Sequence, residues 1–315
     1  PKFIKGGQAN GHDPKVLEKI WGDWEKFASY AFNKSHATCY SWVAFQTAYL
    51  KANYPSEYMA AVLSRNLTNV EQLTIYMNEC KRMGINVLGP DINESMLQFS
   101  ANKQGDVRFG LAAIKGVGEA AVESIIAERT KNGRFKDIYD FIERVDYSLV
   151  NRKCLENIAY AGGYDSISGF SRCKFFGVDQ RDNNGVTYIE QLMRYGQRYQ
   201  SEKNNAQQSL FGGDTGTTDI TPPVIPACAE WSQLEKLNKE REVIGLYLSA
   251  HPLDDYKVII RNMCKTQVGD LDHLDELKGK EIAVAGMVVA VQNLTTKTGK
   301  PWGKFKLEDY NGTHE

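Results

Sequence analysis

Residues 115–118 read Lys-Gly-Val-Gly, and the helix-forming run EAAVESIIAER follows at once. Glycine lacks a Cβ, so such a turn can take φ > 0 and its backbone can approach another surface closely. The amides of the turn and of the helix's first turn then point outward, at the positive end of the helix dipole. That is an anion site made of backbone and suited to a phosphate. A phosphate held this way positions a nucleic acid without reading its sequence. Lys115, Gly116, Val117 and Gly118 are therefore the candidate DNA-backbone contacts. A tight structural turn is the alternative reading of Gly-x-Gly. No third glycine follows at the spacing of a dinucleotide fingerprint.

The remaining polar chemistry is sparse. Asp270 and Asp272 form a closely spaced acidic pair of the kind that holds Mg²⁺ in phosphoryl transfer. They lie in an acidic stretch with Asp275 and Glu276, which favours a solvated helix start. Six cysteines are scattered with no Cys-x-x-Cys and no zinc spacing. Single dispersed thiols fit a reducing, cytoplasmic setting. No apolar run reaches the ~20 residues of a membrane span, and no nucleophile–base set is evident.

The chain has 315 residues, enough for several domains, with 38 Lys+Arg against 39 Asp+Glu. Residues 101–160 hold 10 basic and 9 acidic residues, so the glycine turn lacks a basic excess. The Coulomb attraction for DNA is expected from other parts of a larger assembly. Both ends of the chain read as cuts inside a longer protein.

Apolar periodicity predicts helices through residues 1–84, with Pro55 opening one, Asn69 capping the next and Gly84 ending it. Short strands are expected at 85–88 and 107–109. Helices resume at 119–129, 138–145 and 152–161. The last ends in Gly162-Gly163, which reads as a second copy of the helix–turn motif without the Gly-x-Gly pocket. A helix is expected at 188–199, a polar linker at 201–219, an extended proline-rich stretch at 220–229 and a helix at 231–246. Alternating strands at 280–291 and 305–307 flank a hairpin at 298–300.

Several segments carry a family resemblance. FGLAAIKGVGEAA (109–121), FNKSHA (32–37), FQTAYLK (45–51), YPSEYMAAVL (54–63), PDINES (90–95), EREVIGLYL (240–248) and HPLD (251–254) occur in the order found in family C bacterial replicative DNA polymerases. The chain resembles these DNA polymerase III alpha subunits over nearly its whole length. The resemblance implies a mainly α fold with small β parts in several domains. These are the C-terminal part of the fingers at 1–84, a helix-hairpin-helix domain at 85–200 and a polar linker at 201–229. A helical connector at 230–278 and the start of an OB-fold β-barrel at 279–315 follow.

The resemblance also implies site residues. Lys34, Ser35 and His36 would face template and incoming nucleotide, although Asn33 or Ser35 could equally cap a helix. Gln207, Gln208, Ser209, Leu210 and Phe211 are similar to the peptide by which bacterial polymerases grip the sliding clamp. The two apolar residues would be its anchors; anchoring of the loop to its own core is the alternative. In the barrel, Lys297, Lys300, Trp302, Lys304 and Phe305 are candidates for binding single strands by stacking and charge, unless the two aromatics simply pack its interior. The expected partners are primer–template duplex, single-stranded template, the sliding clamp (beta subunit) and other replisome subunits. The family's catalytic aspartates belong to an upstream palm domain, so no catalytic residue, bound cofactor or metal is expected in this chain. Mg²⁺ would serve the intact polymerase, and the chain alone is expected to be inactive. A stand-alone DNA-binding or repair accessory protein is the competing class; the flanking coding sequence separates the two.

Overall fold

The computed structural model describes residues 2–28, 34–67, 69–178, 185–208, 220–310 and 312–315. The chain divides into two compact units, residues 1–58 and 59–315.

The first unit is helical. α1 (Lys2–Ala9) and α2 (Pro14–Ala28) pack as a pair, with Leu17 buried and Phe3 against Trp24 at 4.8 Å between ring centroids. α3 (Lys34–Asn53) carries Tyr40, Trp42, Phe45 and Tyr49, all exposed. α4 (Pro55–Arg65) begins at Pro55, where a missing N–H costs nothing.

In the second unit, α5 (Val70–Arg82) starts at Asn69, whose side chain accepts from the Gln72 N–H. It ends at Gly84, with φ +74°. A small sheet follows, ordered β1–β3–β2, from β1 (Val87–Leu88), β2 (Ser100–Ala101) and β3 (Val107–Arg108). β3 runs parallel to β1 and antiparallel to β2. β2 is an addition to the sequence expectation. α6 (Glu119–Asn132), α7 (Ile138–Arg144) and α8 (Arg152–Ala161) then enclose a core of Val122, Ile125, Phe141, Leu155 and Ile158. Asp137 and Asn151 cap α7 and α8. α9 (Asp165–Ser168) is a single turn.

α10 (Tyr188–Gln208) runs well past the expected end at 199, so residues 201–208 are helix, not linker. Gln200 helps hold it, donating to the carbonyls of Glu143 and Val145. Residues 220–232 are extended, as their prolines require. α11 (Gln233–Ile244) opens with a reciprocal capping box between Ser232 and Glu235. α12 (Lys257–Met263) and α13 (Leu274–Leu277) are short.

β4 (Met287–Thr295), β5 (Pro301–Glu308) and β6 (Thr313–His314) make an open antiparallel sheet in sequential order. The expected strand start at 280 is late: residues 281–286 have no regular structure. Across the described residues the fold is thus mainly α with two small open sheets.

Candidate nucleic-acid interface

The chain enters the glycine turn through Leu111 and Ile114, both fully buried. A one-turn 3₁₀ helix, Leu111–Ala113, lies between them. The N–H groups of Leu111 and Ala112 bond the carbonyls of Met96 and Leu97. That approach requires Gly110, because a Cβ there would stand 2.4 Å from the Gln98 backbone.

Two contacts from distant helices then fix Lys115. Its N–H donates to the Val243 carbonyl at the end of α11, at 2.8 Å. Its carbonyl accepts from the side-chain amide of Asn157 on α8. Gly116 follows at φ +77°, and a Cβ there would come within 2.9 Å of that same Asn157 amide. Gly116 is therefore demanded by the fold itself.

Gly118 is different. Its φ of −78° and ψ of 151° suit any residue, and a Cβ added there meets no atom within 4 Å. It is exposed, as are Lys115, Gly116, Glu119 and Ala120. The first bond of α6 runs from the Val122 N–H to the Gly118 carbonyl, and no side chain caps the turn. The leading amides of α6 thus face outward at the positive end of its dipole. Val117, by contrast, is buried, and its N–H is taken by the Ile114 carbonyl at 3.1 Å. The exposed Lys153 lies alongside, its Cε 3.5 Å from where a Gly116 side chain would begin.

α6 is held in place from its far end. Arg144 donates to Glu128 at 2.9 Å, to Asp140 at 2.9 Å and to the Gly133 carbonyl at 2.8 Å. Burial alone would raise the Glu128 carboxyl. Hydrogen bonds from Arg144 and Asn132 outweigh it and keep that group below its usual range.

The second glycine turn cannot take a ligand in the same way. Gly162 has the left-handed conformation, and Gly162 and Gly163 are buried. Arg172 lies across the turn, paired with Asp165 at 2.6 Å, so a Gly162 Cβ would strike its guanidinium. Arg172 also reaches the buried Glu240, whose carboxylate accepts from the Leu248 and Ser249 N–H groups and the Ser249 hydroxyl. This copy is filled by protein, while the first is open.

The other expected sites fare unevenly. Lys34, Ser35 and His36 occupy the exposed first turn of α3, with the His36 ring 4.3 Å from Tyr40. Ser35 lies inside the helix and so is not its cap; Asn33 falls outside the described residues. Gln207 and Gln208 end α10, while Ser209, Leu210 and Phe211 lie outside the described residues.

In the second sheet, Trp302 pairs with Leu294 and Phe305 with Val291. Three residues of separation along a strand put Trp302 on one face, with Lys304, and Phe305 on the other. The five candidates therefore do not share one stacking face. Trp302 and Phe305 are 48% and 55% exposed, so neither packs a barrel interior here. Lys304 pairs with Glu315, and Lys297 and Lys300 flank the exposed hairpin turn. Asp270 accepts from the Gln267 N–H at the start of the 3₁₀ turn Val268–Asp272, as the helix-start reading expects, whereas Asp272 ends that turn and pairs with His314 at 2.7 Å. Among the described residues no cluster of His, Cys, Asp and Glu could hold a metal ion, and no helix is long and apolar enough to cross a membrane.

Sequence reasoning missed Asn157, Val243 and Lys153. A polar residue between Leu155 and Ile158 on an otherwise buried helix face was the available signal for Asn157.

An open glycine turn feeding a helix, backed by a second helix and turn, is a helix-hairpin-helix arrangement within this part of the chain. The helix-hairpin-helix motif family matches residues 84–175. Over nearly its whole length the chain is similar to DNA polymerase III alpha subunits. It is 34% identical to that of Vibrio cholerae over 313 residues, 99% of this chain and 26% of the relative. The values for Escherichia coli K12 are 35% over 314 residues, with 99% and 26% covered. For Mycobacterium tuberculosis H37Rv they are 36% over 313 residues, with 98% and 25%. The chain spans about a quarter of the length of these curated relatives.

Proposed function

We propose that this chain is the part of a replicative DNA polymerase that holds the primer–template duplex, and that residues 115–118 grip its sugar–phosphate backbone. The observation that carries this reading is Gly118: an exposed glycine that the fold does not require, at the uncapped start of a helix. A missing side chain there leaves room for a phosphate to reach the amides. Lys115 and Lys153 would flank that phosphate as point charges. Backbone donors read no bases, so binding is independent of sequence.

In the same reading, 1–84 ends the fingers, with Lys34, Ser35 and His36 toward template and nucleotide. The peptide 207–211 engages the sliding clamp, and 279–315 begins an OB-fold that accepts single-stranded template. Trp302 and Lys304, on one face, are its better-placed pair. The exposed aromatics of α3 suit a helix enclosed by the rest of a larger polymerase. Nucleotidyl transfer with Mg²⁺ belongs to the whole polymerase, in the cytoplasm with its other replisome subunits; this chain alone extends no primer.

The test is fluorescence anisotropy of labelled duplexes over a salt series. Binding should weaken steeply with salt, and Lys115→Ala should reduce the slope of log K against log salt by about one. Unchanged slope would refute the phosphate contact. Primer extension by the pure chain would refute the domain assignment.

A further inference from the structure

Two of the six cysteines meet in space although 55 residues separate them in sequence. Cys173 lies in the 3₁₀ helix Arg172–Phe176, and Cys228 lies in the extended stretch after the polar segment. The Cys228 thiol donates to Cys173 Sγ at 3.2 Å, and the Cys173 thiol to a Glu230 carboxylate oxygen at 3.4 Å. Ser171 donates to the other Glu230 oxygen at 2.7 Å. Both cysteines are reduced.

The surroundings hold the two segments together. Gly177 admits Pro226, which a Cβ would meet at 2.9 Å. The Pro223 carbonyl accepts from the hydroxyls of Tyr139 and Tyr188. Trp231 stacks on Phe176 at 5.6 Å. Cys173 lines an open cleft with Ser171, Glu230 and Trp231, and the Cys228 sulfur lies beside it at 3.2 Å, itself part-exposed. The other four thiols include buried Cys80 and Cys154 and exposed Cys39.

We infer that Cys173 and Cys228 are a modification site: a dithiol that a hydroperoxide converts to an intramolecular disulfide, stapling residues 220–232 to the helix-hairpin-helix domain. Cys228, the more exposed of the two, attacks the peroxide; the O–O bond breaks, water leaves and a sulfenic acid forms. Cys173 Sγ then attacks that sulfur, the S–O bond breaks, and hydroxide departs as water with the Cys173 proton. The peroxide is reduced by two electrons and the two thiols are oxidised by two. Closure needs the sulfurs to move from 3.2 Å to the ~2.05 Å of a disulfide. Burial, and then the bond to Cys173, push the Cys228 thiol up to about 11, so Cys228 rests as a thiol at neutral pH and its attack on peroxide is the slow step. The staple closes a loop containing α10 and the polar segment after it.

The experiment treats the full chain with hydrogen peroxide, blocks remaining thiols with N-ethylmaleimide and maps the peptides by non-reducing mass spectrometry. One linked pair, Cys173 with Cys228, is expected; it should vanish on treatment with a dithiol reductant. The oxidised chain should also unfold at a higher temperature than the reduced one, a shift absent in Cys228→Ser. Recovery of Cys173 and Cys228 as separately blocked or overoxidised residues would overturn the inference. So would links from either one to Cys39 in equal amount.

Discussion

Gly116 and Gly118 stand two residues apart, and alanine at each should do opposite things. At Gly116, φ is +77°. An alanine held in the left-handed region costs about 1–2 kcal/mol. Its Cβ would also press on the Asn157 amide, 2.9 Å away. Yielding of that amide weakens its bond to the Lys115 carbonyl, a loss of about 0.5–1.5 kcal/mol. Gly116→Ala should therefore destabilise by roughly 2–3 kcal/mol. At Gly118 the conformation is ordinary and the space is open. Restricting the unfolded chain stabilises by about 0.4–1 kcal/mol. Replacing glycine at a helix N-cap costs several tenths, so the net change should stay within about 0.5 kcal/mol. Yet a methyl group at 118 keeps a phosphate oxygen from the amides behind it. Loss of one charge-assisted hydrogen bond, about 1.5–3 kcal/mol, weakens duplex binding roughly 10- to 100-fold. Urea unfolding measures the first quantity, and anisotropy with two duplexes of unrelated sequence the second. The reasoning fails if Gly118→Ala binds like the parent, or if it unfolds as readily as Gly116→Ala.

Asn157→Ala should lower stability by about 1–3 kcal/mol in urea unfolding, because the part-buried bond to the Lys115 carbonyl goes unmade. His251 is held below its usual range chiefly by burial, with its Nδ1 accepting from the Leu253 N–H. The unfolded chain then binds more protons, so this contribution to stability is full above the ordinary histidine pKa of ~6.5 and is lost as pH falls through it. His251→Asn should lose less stability than the parent between pH 7 and 5 by calorimetry; an equal loss would place the effect elsewhere. Leu210→Ala with Phe211→Ala should abolish pull-down by the purified sliding clamp with no change in melting temperature, and unchanged capture would remove the clamp-binding peptide from the account.

Much of the local structure is legible because its signals are local. Pro55, Asn69, Gly84 and the Gly162-Gly163 turn mark helix ends through single residues whose backbone needs are fixed. β2 is two residues long and leaves no alternation to detect. α10 overran its expected end because the polar run 201–208 also holds Glu202, Lys203, Ala206, Gln207 and Gln208, all good helix formers, and Gln200 ties the helix to α7. The glycine turn could be named from sequence, but not what braces it. Lys115 is held by residues 42 positions away on α8 and, on α11, by a carbonyl that any residue supplies. For that reason the roles of Gly116 and Gly118 looked alike in sequence and separate only in three dimensions. Trp302 and Phe305 are the reverse case. Their odd spacing was enough to assign them to opposite faces once the strand was recognised.

The central claim is that the backbone of residues 115–120 meets phosphate, and amide chemical-shift mapping tests it most directly. The ¹⁵N-labelled chain would be titrated with two duplexes of unrelated sequence at low salt. The account predicts that the amides of Gly116, Gly118, Glu119 and Ala120 shift most, and alike with both duplexes. The buried Gly162 and Gly163 amides should stay fixed. Duplex binding with the 116–120 amides unmoved, or shifts there that depend on base sequence, would contradict it.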